Sequence, residues 1–571
     1  MNQRFLVLLI IVMLISCQSK KEKVTFKKTV ASVEELVNHS KEFDTPQVIQ
    51  VTEGVHVAIG FGLANSILIE GENGNIIVDC LESNEVAKKV KAAFDKISTK
   101  PIKALIYTHN HADHIFGAGV MAGEDQPDIY SHELTNYYID RLLNVVQPTI
   151  ARRSMRMFGA FLDEDSHINC GIGPSLDAKA NTTRSILRPT ITFDKELEVE
   201  IEGVKIQLAH VPGETDDQLY VWLPEKQVLL PGDNIYKSFP NLYTIRGTPY
   251  RDVKQWASSL DRMRLLKPEF LVPSHTQPVT GAEKIEKILT DYADAVRFVH
   301  DQTIRWMNIG LTGDEIAEKV ILPDHLSRSP YLQEFYGRVD WSVKNIFNGY
   351  MGWFDGNSST LLPLPVLEKA ERMASLAGGE NELLKKAQQA FDDGTFQWAL
   401  ELSDYVLRLN PKEESAQEIR YQSLLKLGET QSNPNARNYY LSQALEVKGQ
   451  SMEMASIRTP QMIHGIPIKA IFDAMAVKTI PEKCMNYNKK AVFHFSDLDK
   501  SWSVHIRNGV TEIQPMELDN PDLEINTDSN IWKEIVSRVR SPLTAMASGD
   551  LKIEGGMGDF QEFMGMFRED D

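Results

Sequence analysis

Cysteine and positive charge are both scarce in this sequence. The four cysteines among its 571 residues are too few and too scattered for a cysteine-rich zinc site or for the disulfide framework of a small secreted protein. Acidic residues (79) outnumber basic residues (61), which gives a formal charge of −18. A surface that follows nucleic-acid phosphates needs clustered Lys and Arg, so we expect no nucleic-acid partner. The length allows about three or four domains, each with its own core.

Long hydrophobic runs are also missing. The apolar run at residues 5–15 has only eleven residues and follows Arg4, so it is too short to span a bilayer and is typical of an export signal. It ends in Leu-Ile-Ser-Cys at Cys17, which resembles the bacterial lipobox. We predict a lipoprotein signal peptide at 1–17, a lipid anchor on Cys17 and a polar tether at 18–47. The alternative is an ordinary signal peptide with a chance cysteine. If the lipobox prediction holds, the chain is an exported bacterial lipoprotein, membrane-anchored and facing the periplasm or the cell surface.

The remaining sequence changes its pattern twice, which indicates three domains. Short β-branched runs alternate with helical patterns at 48–300, as expected of an α/β domain rich in sheet. The pattern becomes mostly helical from residue 282, with predicted helices at 282–307, 331–351 and through 366–429, and we assign residues 301–445 to a helical domain. One hairpin within it, at 383–409, resembles a tetratricopeptide unit. Residues 450–571 return to strands and helices, including a predicted Asn508-Gly509 hairpin.

Three imidazoles and one carboxylate are crowded into six residues directly after a predicted strand at 104–107. They are His109, His111, Asp113 and His114. Imidazole nitrogen and carboxylate oxygen are ligands that suit zinc, and a loop at a strand end allows closely spaced side chains to converge. A lone histidine is more often structural, but four possible ligands at this spacing favour a metal site.

Three more possible ligands follow predicted strands further along the chain. Glu214 lies in a His-Val-Pro-Gly-Glu segment, Asp233 in Pro-Gly-Asp-Asn, and His275 in Val-Pro-Ser-His. Each alone is weak evidence, because Gly-Asp is a common turn and a histidine after a strand is often structural. Their order along the chain, after the histidine cluster, gives them weight.

That order resembles the metallo-β-lactamase superfamily, for which the His-x-His-x-Asp-His motif is highly specific. Glutamate at position 214, where most of the superfamily has histidine, resembles the alkyl sulfatases that release sulfate from dodecyl sulfate. The resemblance implies an α/β fold: an αββα sandwich followed by an all-α dimerisation domain and a small α+β domain similar to sterol carrier proteins. Further segments that match the alkyl sulfatases are 241–247, 300–303, 336–337 and 352–357.

The same resemblance implies two Zn²⁺ ions per chain. His109, His111 and Glu214 would hold one ion, Asp113, His114 and His275 the other, and Asp233 would bridge them. Two zinc ions roughly 3.5–4 Å apart lower the pKa of a shared water toward about 7, which supplies a nucleophile at neutral pH. The implied reaction cleaves alkyl sulfate esters to an alcohol and inorganic sulfate, and the implied assembly is a homodimer.

The sulfate group needs donors near the metals. Asn241 and Arg246 match the sulfate-holding pair of the family, and the guanidinium fork of arginine stays charged and donates bidentately. The segment at 151–161, which includes Arg153 and Phe158, matches a region that helps to form the family's substrate channel. A core helix with exposed arginines is the equally weighted alternative for that segment.

Two positions depart from the alkyl sulfatase pattern. The bridging residue is Asp233, where these enzymes have glutamate, so the metal spacing is expected to differ. Pro240 occupies the position before Asn241, where relatives often have a histidine proposed as a general acid. Proline cannot donate a proton, so the leaving alcohol must be protonated from elsewhere or stabilised by metal and arginine.

Two alternatives remain open from the sequence. One is another ester hydrolase of the same fold, acting on phosphodiesters, thioesters or lactams. The other is a lipid-binding module whose metal domain is a relic, although an intact set of seven possible ligands speaks against decay. In the C-terminal domain, the apolar positions are compatible with a simple core as well as with a lipid tunnel; they are Ile525, Ile531, Ile535, Val539, Leu543, Met546, Leu551, Ile553, Phe560 and Phe563.

Overall fold

The computed structural model of the protein describes residues 33–143, 146–178, 181–451 and 460–568. The predicted signal peptide, Cys17 and most of the predicted tether lie outside these residues. Within them, no helix has both the length and the apolar character needed to cross a bilayer.

The first part of the chain contains thirteen strands and eight helices within the described residues. The strands are β1 (Gln47–Thr52), β2 (Val55–Ile59), β3 (Ser66–Glu70), β4 (Asn75–Val78), β5 (Ile102–Ile106), β6 (Asp128–His132), β7 (Ile191–Phe193), β8 (Glu196–Ile201), β9 (Val204–His210), β10 (Leu219–Leu223), β11 (Val228–Leu230), β12 (Phe270–Leu271) and β13 (Val279–Thr280). The helices are α1 (Glu34–His39), α2 (Asn84–Phe94), α3 (Ala112–Ile115), α4 (Ala118–Ala122), α5 (Thr135–Leu143), α6 (Gln147–Met157), α7 (Val253–Leu265) and α8 (Ala282–Met307), with 3₁₀ turns at Ser40–Glu42 and Gly232–Asn234.

These strands form two sheets. The seven-stranded sheet runs in the order β1 to β7, antiparallel as far as β4 and parallel from β4 to β7. The six-stranded sheet runs β13-β12-β11-β10-β9-β8, and only its β11–β12 pair is parallel among the described strands. A tight turn that includes Asn73 and Gly74 joins β3 to β4 as a hairpin.

The two sheets pack face to face and are covered by helices. Alternate residues of β2 point in opposite directions, as a pleated strand requires. Val55, Val57 and Ile59 lie in the core between the sheets, whereas Ala58 packs toward α2 and α4. On the outer face of the second sheet, α7 and α8 bury Trp256 and other large side chains. This arrangement is the predicted αββα sandwich.

Nine helices follow in the next part of the described chain. They are α9 (Gly313–Ala317), α10 (Asp324–Ser327), α11 (Val339–Met351), α12 (Ser358–Leu361), α13 (Val366–Ala377), α14 (Glu380–Asp392), α15 (Phe396–Leu409), α16 (Glu414–Thr430) and α17 (Pro434–Val447). Helices α14 and α15 form the predicted hairpin, with Gly394 in the turn at φ 76°.

The prediction of one helix over residues 331–351 is wrong in its first half. The chain is irregular until Val339, because this segment makes backbone hydrogen bonds with the loop after β11. Phe239 N donates to Gln333 O (2.7 Å), and Gly337 N donates to Phe239 O (3.1 Å). A Cβ at Gly337 would lie 2.0 Å from Pro240 O, so this close approach requires glycine.

The C-terminal part is an α+β domain with a five-stranded sheet in the order β16-β15-β14-β17-β18. Asn508 and Gly509, both at positive φ, form the predicted tight turn between β15 and β16. Its elements are α18 (Pro460–His464), α19 (Ile468–Ala476), α20 (Pro481–Cys484), β14 (Asn488–Phe495), β15 (Lys500–Arg507), β16 (Val510–Gln514), β17 (Leu523–Thr527), α21 (Ser529–Val536), α22 (Pro542–Ala547), β18 (Leu551–Glu554) and α23 (Met557–Gly565).

Two of the apolar positions predicted for the core of this domain are exposed. Helix α21 ends at Val536, and Arg538 at φ 61° turns the chain away, so Val539 points to solvent. Leu543 lies on the outer side of the short helix α22. The other predicted positions pack in or against one core that includes Phe493 and Trp532. The similarity of this domain to sterol carrier proteins stays a prediction.

Candidate active site

The histidine-rich loop connects β5 to α3, and hydrogen bonds orient its imidazoles. His114 Nδ1 lies 2.8 Å from Asp79 Oδ2, and His109 Nδ1 lies 3.0 Å from Thr108 Oγ1. Thr108 Oγ1 donates its proton to Asp79 Oδ2 (2.9 Å), so the hydroxyl oxygen of Thr108 accepts a hydrogen bond from His109 Nδ1. With each Nδ1–H engaged in this way, the Nε2 lone pairs of His109 and His114 are available for a metal.

Asp79 anchors this arrangement and was missed in the sequence. It follows β4 at φ 61°, is fully buried, and accepts hydrogen bonds from Thr108 N (2.9 Å) and Ser274 Oγ (2.8 Å) as well as from His114. One carboxylate therefore connects the histidine loop to the loop that carries His275. The only sign of Asp79 in the sequence is an aspartate directly after a predicted buried strand, and this pattern is too common to predict a role.

Six of the predicted ligands converge in two groups within the described residues. In each group the possible ligand atoms lie within 4.8 Å of one another. The first group is His109, His111 and Asp233, and the second is Asp113, His114 and His275. Nε2 of His109 and Nδ1 of His111 face each other at 2.9 Å.

Asp233 lies between the two groups. Its Oδ2 is 3.7 Å from His109 Nε2, 3.5 Å from His114 Nε2 and 3.2 Å from His275 Nε2. The ring of His275 is held by its other nitrogen, because Nδ1 donates to Leu63 O (2.9 Å). Oδ2 of Asp113 completes the second group at 3.5 Å from His275 Nε2. One carboxylate within reach of both groups is the arrangement expected of a bridging ligand.

Burial and mutual charge shift the ionisation of these groups strongly. Burial alone would raise the pKa of Asp233, but the imidazoles of His275, His114 and His109 outweigh it and hold the pKa well below its usual range. Burial and the neighbouring His114 lower the pKa of His109 to about 3. Burial would lower the pKa values of His114 and His275, but the carboxylates of Asp113 and Asp233 outweigh it and raise both. Divalent cations bind neutral imidazoles and ionised carboxylates, so a bound ion would displace protons from these two rings.

Glu214 lies outside both groups but close to them. Its Oε1 accepts from Arg251 Nη1 at 2.8 Å, and both side chains are buried. Burial raises the pKa of Glu214 to about 7 against the opposing effect of Arg251. The structure thus places Asp233, and not Glu214, nearest to His109 and His111. Arg251 was not singled out in the sequence, where an arginine before a helix carries no distinctive pattern.

The two predicted sulfate-binding residues lie next to the first group. Nη2 of Arg246 is 3.2 Å from His111 Nε2. Asn241 is fully buried, and its backbone N–H donates to Tyr236 Oη (2.9 Å). Both polar atoms of its side chain lack a hydrogen-bond partner among the described residues. A buried amide with no partner is costly unless something else binds it.

Arg153 and Phe158 lie behind this pair. Nε and Nη2 of Arg153 both donate to Ile245 O, at 2.9 and 2.6 Å, so Arg153 supports the loop that carries Arg246. Phe158 is buried in an apolar cluster with Leu63 and Tyr236. Their predicted contact with substrate stays a prediction.

The chemistry of the donors fits a divalent cation. His114 Nε2, Asp233 Oδ1 and Glu214 Oε2 are buried and have no hydrogen-bond partner in the part of the chain that the structure describes. Polar atoms buried in this way normally have partners, and here they surround a set of imidazoles and carboxylates that suits zinc or a similar ion. The site can therefore bind divalent metal.

Comparison with known proteins agrees with this geometry. The linear primary-alkylsulfatase from Pseudomonas sp. (strain ATCC 19151) is 38% identical to this chain over 525 residues, which cover 88% of this chain and 98% of that protein. This chain belongs to the alkylsulfatase family. The alkyl/aryl-sulfatase BDS1 from Saccharomyces cerevisiae is 27% identical over 92% of this chain and 83% of its own length.

Family models and a solved structure show that the similarity to alkylsulfatases extends over most of this chain. The metallo-beta-lactamase superfamily model matches residues 59–275, the alkyl sulfatase dimerisation model 312–450, and the alkyl sulfatase C-terminal model 456–571. The structure of the stereoselective inverting sec-alkylsulfatase Pisa1 from Pseudomonas sp. superposes with a TM-score of 0.88, at 25% identity, over 95% of this chain and 88% of that one. The predicted family and fold class are confirmed.

Proposed function

We propose that this protein hydrolyses alkyl sulfate esters to an alcohol and inorganic sulfate. The observation that carries the proposal is the 3.2 Å approach of Arg246 to His111, which sets a permanent cation at the edge of a cluster of metal-binding side chains. A sulfate monoester has one negative charge and several acceptor oxygens, which a guanidinium matches. Identity of 38% to a linear primary-alkylsulfatase supports the same reaction class.

The proposed cofactor is a pair of Zn²⁺ ions. His109, His111 and Glu214 would hold one ion, Asp113, His114 and His275 would hold the other, and Asp233 would contact both. When bound, such a pair supplies Lewis acidity and a reactive water at neutral pH. The partnerless oxygen of Glu214 and the central position of Asp233 support this assignment.

The side chains of this protein would then position the ester. Arg246 would pair with the sulfate charge, and the amide of Asn241 would donate to a sulfate oxygen, which satisfies a buried group that lacks a partner in the described part of the chain. Both residues follow the Asp233 turn on one loop, so the sulfur is held next to the metal-binding cluster. Charge on the leaving oxygen would be stabilised by this cationic side of the site, since Pro240 offers no proton.

The experiment that tests this function measures sulfate released from dodecyl sulfate by the purified full chain. We expect release, its loss after incubation with a chelator, and its recovery on adding Zn²⁺, with about two zinc ions per chain by elemental analysis. Parallel assays with a nitrocefin-type lactam and a bis-aryl phosphodiester serve as comparison. Hydrolysis of either comparison substrate without sulfate release would contradict the proposal.

We also propose that the protein is exported and anchored by lipid on Cys17. The support is the sequence of residues 1–17 alone. Expression in a bacterium that processes lipoproteins should place the protein in the membrane fraction, and Cys17→Ala should move it to a soluble fraction. Wild-type protein that appears only in a soluble fraction would contradict the anchor.

A further inference from the structure

Arg251 connects the candidate metal centre to the loop that carries the sulfate-binding residues. It is only 3% exposed. Its Nη1 donates both to Glu214 Oε1 (2.8 Å) and, at short distance, to the backbone oxygen of Asn241. One guanidinium nitrogen thus holds a possible metal ligand and the first residue of the loop that carries Arg246.

Helix α7 holds Arg251 and its surroundings in place. The helix begins at Val253, two residues after Arg251, and its N-cap Asp252 accepts from Gln255 N (3.0 Å). Further along the helix, Trp256 Nε1 donates to Asn234 O (3.0 Å) and Ser259 Oγ donates to Pro212 O (2.8 Å). The same helix therefore anchors the segments that carry Asp233 and Glu214. Arg251 is a fixed point in this arrangement because its backbone is tied to the helix N-terminus.

The remaining atoms of Arg251 argue against a purely structural role. Nε and Nη2 are buried and have no hydrogen-bond partner among the described residues. A guanidinium buried only to stabilise the fold usually has its N–H groups satisfied. On the other side of the ion pair, Arg251 occupies Oε1 of Glu214 and leaves Oε2 without a partner in the described chain.

We propose that Arg251 is a positioning residue that orients Glu214 for metal binding and ties it to the Asn241 loop. The inference rests on the proposed function, because it assigns Glu214 to a metal. Partners of metal ligands in the surrounding layer typically change metal affinity by about 10–100-fold when they are removed. Arg251 acts through Glu214, so its effect should be confined to the ion that Glu214 binds.

The test is a zinc titration of metal-depleted full-length protein against a competing chelator. For Arg251→Gln we expect one of the two zinc ions to bind about 10–100-fold more weakly and the other to bind as in wild type. Arg251→Lys, which keeps the charge but lacks the rigid planar guanidinium, should lie between them. The matched control is Arg264→Gln, on the helix that follows Arg251 and ion-paired with Asp261 at 3.2 Å, which should bind both ions as wild type does.

A double-mutant cycle separates positioning from general damage. Glu214→Gln should weaken the same ion, and adding Arg251→Gln to it should cause no further loss if Arg251 acts through Glu214. Wild-type affinity for both ions in Arg251→Gln, or additive losses in the double variant, would overturn the proposal. If circular dichroism shows that Arg251→Gln does not fold, the same zinc titrations are made with Arg251→Lys, alone and combined with Glu214→Gln, and the same outcomes support or overturn the proposal.

The proposed function can fail separately from this inference. The titration contains no substrate, so wild-type protein that releases no sulfate but shows the Arg251 effect would overturn only the proposed function. Conversely, sulfate release together with unchanged zinc binding in Arg251→Gln would overturn only the role of Arg251.

Discussion

Individual residues in this site are positioned by their hydrogen bonds as much as by the backbone. His114 and His275 each donate through Nδ1, to Asp79 and to Leu63 O respectively, so that Nε2 of each ring faces Asp233. Arg246 is positioned through the backbone, because Arg153 donates two hydrogen bonds to the carbonyl oxygen of Ile245, the residue before Arg246. The ligand set and the anion-binding side chain are therefore held by separate contacts.

This separation leads to a prediction for Arg246→Ala. The variant should raise the KM for dodecyl sulfate about tenfold to a hundredfold, because a charged hydrogen bond contributes about 1.5–3 kcal/mol. Its zinc content should equal that of wild type, since Arg246 lies 3.2 Å from His111 but is not part of the ligand groups. Steady-state kinetics and elemental analysis check both parts. Arg328→Ala, at an exposed ion pair with Asp324, is the control.

Loss of zinc in Arg246→Ala would mean that the arginine orients His111 and does not act on the sulfate. His111→Ala supplies the comparison, because removal of a ligand should remove metal and activity together.

At the scale of elements, the ends of β6 and β9 join the two sheets through a histidine pair. The rings of His132 and His210 stack at 3.8 Å and 17°. His132 Nε2 donates to Asp194 O (2.8 Å), and its Nδ1 accepts from Leu134 N (3.3 Å). These contacts use the neutral ring. Burial and the adjacent His210 accordingly lower the pKa of His132 to about 4.

The protein should lose stability as His132 becomes protonated. The folded-state pKa is below the unfolded value of about 6.5, so the unfolded chain binds more protons in this range. The contribution is complete above pH 6.5 and is lost as pH falls toward 4, by about 3 kcal/mol in all. His132→Gln should show a smaller fall in melting temperature between pH 7 and 4.5 than wild type. An equal fall in both, or a change with exposed His325→Gln, would contradict this assignment.

Two helices show how far a sequence pattern predicts the bounds of an element. Helix α8 occupies the predicted residues 282–307, because its apolar periodicity is uninterrupted. Helix α11 starts eight residues later than predicted, because residues 331–338 pair with a loop almost a hundred positions earlier in the chain. A local pattern contains no information about such a partner.

At the scale of the whole molecule, an apolar stretch of the helical region remains uncovered. Residues 350–367 include nine-tenths-exposed Leu362, three-quarters-exposed Trp353, and half-exposed Met351 and Val366. Large apolar side chains left exposed along one segment are typical of an interaction site. The stretch lies in the segment that matches the alkyl sulfatase dimerisation model. We propose that it contacts a second copy of this chain in a homodimer.

Leu362→Asp should weaken that dimer. Placing a carboxylate in an apolar interface carries a desolvation cost of several kcal/mol, so we expect the dimer dissociation constant to rise at least a hundredfold. Light scattering during size-exclusion chromatography would measure the mass. Leu265→Asp, at a position on α7 that is 76% exposed, is the matched control and should leave the dimer intact. A dimer equally stable in both variants would exclude this surface.

Residue motifs were enough to identify the family and the fold class, because the His109 to His114 motif resembles that of the metallo-β-lactamase superfamily and such a motif is recognisable without a structure. The sequence also pointed to Glu214, Asp233 and His275 through their order along the chain. Only the tertiary structure decided that Asp233 stands between the two ligand groups, that Arg251 holds Glu214, and that Asp79 unites two loops. Those contacts join residues 35 to 195 positions apart, and distances of that kind are set by how the sheets pack and not by neighbouring residues.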